Sequence, residues 1–435
     1  MSAEAGEKLR RALTHPVAGN ALALYLTQFG SLLIPLLSLP YLARVLRPEG
    51  WGLVVFAQSF AVWLSLVIEY GFRLSMTREL ARRRDEPGAV PALVAGALGA
   101  QALLVAGAAA AAVVAWQAVP RFQADGIYAA LALALAVALG LSPAWYFQGI
   151  ERMRVYAGAT LAGQVLYLIG VFTLVRGPAD GWRVLAVQAV GVGAATVFCL
   201  SWMARGVAIT APRLAGALAA LRGGFGLFLF LNLVNLYTTA NGFILGLVAP
   251  PALAMQAVSY FGGAERLVRG ALSVFAPLAQ ALYPRLSHLM ARDPAAAARV
   301  SRWVLVVMVA LGLTVGAGLF LAAPLLIRVL LGPGYEPAVT VLRILALLAP
   351  VIAVSTTLGT LWMLPLGMDR AMAAIVLGAG ALNVVLALSL AARAGHVGMA
   401  WAVVTAEVVV SAGMAVLLRR RRLDPFRARP AGETR

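Results

Sequence analysis

Long apolar runs, separated by short polar breaks, dominate the pattern of residues along the chain. Each run is long enough to cross a bilayer as a helix, for which about 20 apolar residues suffice. Turn-forming residues mark several breaks, in the stretches RPEG, VRGPADG, VAPP, LLGPGYEP and PLGMDR. The pattern predicts an all-α polytopic membrane protein with about 12 transmembrane helices, at 21–46, 51–73, 89–117, 126–148, 155–176, 182–204, 223–248, 253–284, 301–324, 337–364, 371–392 and 396–418.

The composition supports this fold class. Hydrophobic residues make up 62% of the 435 positions and charged residues 12%, whereas soluble domains average about 45–50% and 25%. Disordered proteins, disulfide scaffolds and most soluble enzymes are thereby excluded. The chain has a single lysine, Lys8, so a phosphate-binding GxxxxGK[ST] loop is absent. Three scattered histidines and the absence of HExxH or nucleophile-elbow motifs predict no metal site, no cofactor and no enzymatic activity.

The basic residues predict the topology. With both termini in the cytoplasm, 24 of the 35 lysines and arginines fall on the inside, eight fall in outside loops and three fall within spans. This threefold bias follows the positive-inside rule. It accounts for the net charge of +18 without a nucleic-acid partner. The arginine run 419–422 is expected to stop transfer and to bind anionic membrane lipids.

The longest inside connection between spans lies in the middle of the chain. It predicts two lobes of six helices around a central cavity, related as parallel repeats in transporters are. The predicted divisions are an N-terminal lobe, a cytoplasmic linker, a C-terminal lobe and a basic cytoplasmic tail, at 1–206, 207–219, 220–418 and 419–435.

Charged residues within the spans are the first candidates for function, because a charge at mid-bilayer is costly and usually faces a cavity or a partner. Glu69 and Arg73 are four residues apart in the second span, and Glu265 and Arg269 are four apart in the eighth, beside Arg266. This spacing predicts that each pair lies on one helix face. Glu265 lies about 18 Å into its span, whereas the first pair is close to the cytoplasmic interface, where the arginine can equally extend to the headgroups.

Two further polar residues within the spans each allow a functional and a structural role. Glu407, in the middle of the last span, either binds a proton or cation or is a neutral packing group. Asn241 either binds sugar hydroxyls or joins neighbouring helices. The arginines Arg266 and Arg269 favour an anionic substrate that carries phosphate, since a guanidinium binds phosphate through a fixed fork of donors.

Four stretches together resemble one family. These are YLTQFGSLLIPLLSLPYLARVLRPEGWG (25–52), EYGFRLSMTRELARRRDE (69–86), WYFQGIERMR (145–154) and GGAERLVRGALSVFAPLAQALYPRLSHL (262–289). They are similar to the first helix, the end of the second helix, the loop after the fourth helix, and the eighth helix with its YPR turn in Wzx-type oligosaccharide flippases.

The resemblance implies the fold of the multidrug and lipid-flipping exporters, and a substrate of undecaprenyl-pyrophosphate-linked oligosaccharide. It also implies a bacterial inner membrane location and partnership with a polysaccharide polymerase and chain-length machinery. In this interpretation Arg266, Arg269 and Arg73 attract the pyrophosphate, and Glu265, Glu69 or Glu407 pairs with them or exchanges a proton. The chain departs from the family at Arg47, where glycine is common, and at Asn241, near which an acidic residue is common.

Other functions remain open at this point. A small-molecule or drug exporter of the same fold would have an acidic cavity, and Arg266 and Arg269 argue against such a cavity. A lipid II flippase has a cationic signature in its first helix, and residues 20–41 carry no charge. A non-transporting scaffold for polymer assembly would need a docking domain, which the sequence does not show. An integral-membrane enzyme is the least supported alternative.

Overall fold

Helices make up the entire regular structure of residues 16–208 and 210–426, the parts of the chain that the computed structural model describes. The helices are α1 (Pro16–Glu69), α2 (Phe72–Arg83), α3 (Ala89–Ala118), α4 (Pro120–Ala124), α5 (Gly126–Gly140), α6 (Ala144–Gly149), α7 (Met153–Leu174), α8 (Gly181–Gly206), α9 (Leu214–Thr239), α10 (Asn241–Val248), α11 (Ala254–Leu272), α12 (Phe275–Arg292), α13 (Pro294–Leu330), α14 (Ala338–Ala346), α15 (Leu348–Ser355) and α16 (Asp369–Arg420). A 3₁₀ turn (Pro178–Asp180) precedes α8, and a π-helical segment (Thr356–Met363) follows α15. The chain divides into two compact units between residues 235 and 236, within α9.

The predicted membrane helices are largely confirmed. Within the described ranges, eight helical segments are long and apolar enough to cross a membrane, and they cover ten of the twelve predicted spans. Two of the segments each contain a pair of predicted spans. The chain breaks at Arg47 (φ 58°) in α1 and at Ala394–Gly395 in α16. The protein is therefore a multi-pass membrane protein.

The seventh and eighth predicted spans are not among those eight segments. The eighth corresponds to α11, which carries Glu265, Arg266 and Arg269 in 19 residues and is therefore less apolar. Side chains 230–238 of the seventh predicted span, 223–248, lie outside the described residues.

Two predicted helix boundaries are wrong. The eighth predicted span, 253–284, is two helices, because the chain turns at Ser273 and Val274. Pro284 lies inside α12, so the YPR stretch is not a turn. A proline ring removes one backbone donor, and the rest of α12 continues the helix without it.

Glycines and polar side chains hold the first unit together. A β-carbon added to Gly163 would lie within 2.4 Å of the Gly191 carbonyl oxygen, so α7 and α8 cross with their backbones in contact. Gln58 Nε2 donates to Gln188 Oε1 at 2.6 Å and joins α1 to α8. Small residues at crossings and hydrogen bonds between helices are the interactions expected where lipid supplies no hydrophobic driving force.

In the second unit the tenth predicted span is a bent helix built from α14, α15 and the π-helical segment. Pro350 lies one turn after the carbonyl of Ala346 and removes the donor that this carbonyl would accept in a straight helix. The hydroxyl of Ser411 on α16 donates to the Val351 carbonyl at 3.1 Å and fixes α16 against this bend.

Candidate functional site

In the first unit the pair Glu69 and Arg73 does not form as predicted. The second predicted span ends at Glu69, and the next two residues take left-handed conformations, Tyr70 at φ 52° and Gly71 at φ 73°. The two residues therefore lie on different helices, and the expectation that they share one helix face is wrong.

Glu69 instead caps the next helix. Its Oε2 accepts from the Gly71 N–H at 3.0 Å, and its Oε1 accepts from the Arg73 N–H at 2.9 Å. A carboxylate at this position satisfies N–H groups that have no partner within the helix and complements the positive end of α2. The Arg73 side chain is exposed beside this cap.

In the second unit the pair Glu265 and Arg269 is confirmed. An Arg269 guanidinium nitrogen donates to Glu265 Oε1 at 2.8 Å, across one turn of α11. The glutamate side chain is 23% exposed and the arginine side chain 48%, so the arginine is the more accessible partner. Arg266 lies beside them and is half-buried.

Helix α16 packs against α11, and the second part of α16, which begins after the break at Ala394–Gly395, starts beside Ala257. A β-carbon added to Gly395 would lie 4.0 Å from Ala257 Cβ. From this contact Arg269 and Glu407 are each 12 residues further along their helices. A rise of about 1.5 Å per residue puts both at about 18 Å along their helices.

Glu407 is a half-buried carboxylate in the second part of α16. Within the described chain it makes no hydrogen bond and no ion pair. One turn away on each side lie the buried Val404 and Ser411, so the carboxylate interrupts an otherwise covered stripe of the helix. A carboxylate in this position can take up a proton or a cation.

Asn241 is buried at the first position of α10. Helix α10 packs against both α11 and α16. Three mutually packed helices of the second unit therefore carry Asn241, the Glu265–Arg269 pair and Glu407.

One aromatic cluster in the second unit cannot be recognised from the sequence. The ring of Tyr260 lies 5.2 Å from that of His396 and 6.1 Å from that of Tyr335, edge-on to each. These residues come from α11, from the loop before α14 and from the break in α16, so no local motif links them. The cluster fixes these three segments to one another. Among the described residues no group of His, Cys, Asp or Glu side chains is arranged to hold a metal ion.

Known proteins resemble this chain over most of its length. The model of the polysaccharide biosynthesis protein family matches residues 17–290. A putative O-antigen transporter of Escherichia coli (strain K12) is 26% identical over 424 residues, which are 93% of this chain and 97% of that protein.

Two solved structures share the fold. An inward-facing multidrug resistance transporter of the MATE family superposes with a TM-score of 0.66 at 14% identity, over 91% of this chain and 99% of that one. The lipid II flippase MurJ, in an inward closed conformation, has a TM-score of 0.66 at 12% identity, over 92% of this chain and 87% of that one. At these identities the likeness shows a common fold alone.

Proposed function

Because this chain belongs to the polysaccharide biosynthesis protein family, we propose that it is a flippase for lipid-linked oligosaccharides. The proposed cargo is an undecaprenyl-pyrophosphate-linked sugar unit, moved from the cytoplasmic to the periplasmic leaflet of the bacterial inner membrane. The observation that carries this proposal is the likeness to a putative O-antigen transporter along 93% of the chain. The proposed activity is transport by alternating access, with no covalent step.

The second unit supplies the groups proposed to bind the cargo. Arg269 is half-exposed and its guanidinium already binds one carboxylate oxygen of Glu265. Phosphate oxygens bind guanidinium donors in the same forked geometry. We propose that the pyrophosphate binds Arg269 and Arg266, that Glu265 orients the first of these, and that Asn241 binds sugar hydroxyls.

Glu407 is the residue proposed to couple transport to an ion gradient. Its carboxylate has no partner among the described residues. Glu407 and Arg269 each lie 12 residues along their helices from the contact between Gly395 and Ala257. Protonation of such a carboxylate removes a negative charge from the second unit, and we propose that this changes how strongly Arg266 and Arg269 hold an anion. Glu69 is not included in this step, because backbone N–H groups occupy both of its oxygens.

The orientation and partners follow from the same proposal. Both termini are placed in the cytoplasm, where Arg73 is available to attract the anionic cargo and the arginines 419–422 bind membrane lipids. A polysaccharide polymerase and chain-length machinery are proposed to act on the delivered units.

The test of this proposal is a strain that lacks the gene. We expect undecaprenyl-pyrophosphate glycans to accumulate, measured by mass spectrometry of extracted lipids, while surface polymer is lost. Restoring the gene reverses both effects. Normal polymer together with unchanged lipid intermediates would contradict the proposal.

Export of small cationic molecules is the second candidate, and the fold of a multidrug transporter favours it. It requires an acidic binding site, whereas the charged cluster on α11 holds two arginines and one glutamate. Dye efflux that depends on Glu265 would support this candidate. Lipid II transport, suggested by the other shared fold, predicts instead that the gene replaces a missing lipid II flippase.

A further inference from the structure

An apolar groove with a volume of about 480 Å³ lies between α7 and α8 in the first unit. This volume is in the range of about 300–1,000 Å³ that small-molecule sites occupy. Its walls include Val155, Gly158, Ala162 and Leu166 on α7, and Ala195 and Phe198 on α8.

The groove exists because the two helices touch at glycines and carry small side chains next to that crossing. Gly163 and Gly191 bring the backbones into contact. From there toward the start of α7, Ala162 and Gly158 leave space where larger side chains would fill the gap between the helices. Both residues are exposed, so the groove opens sideways on the surface of its unit and a chain from the bilayer can enter it.

The far end of the groove is cationic. Arg154 lines it and lies in the first turn of α7, whose start has no side-chain cap. The start of a helix attracts anions through its backbone N–H groups and its dipole. Arg152, one residue before α7, holds its guanidinium 5.5 Å from the ring of Trp202 on α8. An apolar channel that ends at arginines and a helix N-terminus matches an amphiphile with one chain and an anionic head.

We propose that this groove binds the isoprenoid chain of a polyprenyl phosphate carrier, with the phosphate nearest the chain at Arg154. This inference rests on the proposed function and adds a second contact region, remote in sequence from the arginines of α11. An isoprenoid carries a methyl branch on every repeat and is wider than a straight acyl chain. The glycine and alanine floor provides that width, and a single groove accommodates one chain rather than the two of a phospholipid.

Such a groove would serve the loading of cargo. The sugar head has to cross the membrane, whereas the apolar chain is most stable in the hydrocarbon region throughout. The positive-inside prediction assigns Arg152 and Arg154 to the cytoplasmic side, where the cargo is taken up. The groove would hold the chain while the head enters the transport pathway.

The experiment uses the full-length protein in nanodiscs with a diazirine-bearing undecaprenyl phosphate. Gly158→Leu fills the groove, and Gly107→Leu on α3 is the matched control, since a β-carbon at either exposed glycine meets nothing within 4 Å. We expect photo-adducts on peptides within 153–206. We expect the apparent affinity for this lipid to be about fivefold lower in Gly158→Leu, because the leucine side chain occupies space that the isoprenoid chain would fill. The affinity should be unchanged in Gly107→Leu. Arg154→Gln should lower affinity about tenfold, as expected for a lost charge-assisted hydrogen bond, and Arg154→Lys should restore most of it.

The outcomes separate this inference from the proposed function. Binding by wild type that Gly158→Leu leaves intact would overturn the groove alone. Equal competition by phosphatidylglycerol would also overturn it and identify a general lipid groove. An absence of binding to wild type, together with no lipid-linked glycans in the deletion strain, would overturn the proposed function as well.

Discussion

Replacing Arg269 by glutamine separates a role in cargo binding from a role in folding. The change removes the positive charge that binds Glu265 at 2.8 Å and keeps most of the length of the side chain. The matched control is Glu265→Gln, which removes the other half of the same pair. A third variant, Glu265→Arg with Arg269→Glu, keeps an ion pair but exchanges its ends.

The free energies expected for the two roles differ by a factor of about three to ten. The Arg269 side chain is 48% exposed, and an accessible ion pair one turn apart on a helix contributes about 0.3–0.5 kcal/mol to stability. The thermal midpoint should therefore fall by only about 1 °C. A charge-assisted hydrogen bond to bound phosphate is worth about 1.5–3 kcal/mol. Its loss corresponds to a decrease of about 10- to 150-fold in apparent affinity for the cargo.

Both quantities can be measured on the same preparations. Thermal unfolding gives the midpoint, and transport of lipid-linked oligosaccharide in proteoliposomes gives the apparent affinity. We expect Arg269→Gln and the exchanged pair to lose transport with little change in midpoint, and Glu265→Gln to lose less. Wild-type transport by Arg269→Gln, or a transport loss that only follows a lower midpoint, would refute the reasoning.

Three further changes test other parts of the structure. Gly163→Ala places a β-carbon 2.4 Å from a facing carbonyl oxygen and should destabilise the protein by about 1–3 kcal/mol in thermal unfolding. The control Gly158→Ala meets nothing within 4 Å and should not change the stability. Equal midpoints for the two variants would contradict the close crossing of α7 and α8. Glu69→Ala removes two hydrogen bonds that cap α2 and should cost about 0.5–2 kcal/mol, seen as faster amide exchange in its first turn; wild-type exchange would show that the cap is dispensable. Glu407→Gln should fold normally but transport at a rate that no longer responds to an imposed pH gradient in proteoliposomes; a retained response would remove this residue from the coupling step.

Turn chemistry explains which helix boundaries could be predicted from the sequence. The breaks at Arg47 and at Ala394–Gly395 lie in short stretches that separate long apolar runs, so the hydrophobic pattern alone locates them. The break at Ser273–Val274 has neither glycine nor proline, and it falls inside an apolar run. Pro284 is the stronger local signal for a helix break, but α12 continues through it because a packed helix tolerates one missing backbone donor.

Helix continuity also explains why one charged pair was predicted correctly and the other was not. A spacing of four residues predicts a shared face only where the helix is continuous. The helix is continuous between Glu265 and Arg269 but not between Glu69 and Arg73. Gly71 is the residue in the sequence that indicates this second break. The groove beside Gly158 could not be predicted, because it depends on how closely two helices approach and not on either helix alone.

The two glutamates occupy comparable places in the sequence pattern but differ in what binds them. Both lie on the second predicted helix of their half, and a break and a further helix follow each. Backbone N–H groups hold both oxygens of Glu69, so this carboxylate serves as the local cap of α2. Glu265 binds a mobile guanidinium, for which phosphate oxygens compete directly. A cargo phosphate can therefore compete with Glu265 for the Arg269 guanidinium, whereas Glu69 is held by backbone N–H groups. Charge reversal at Arg269 is for this reason a more direct test of transport than charge reversal at Arg73.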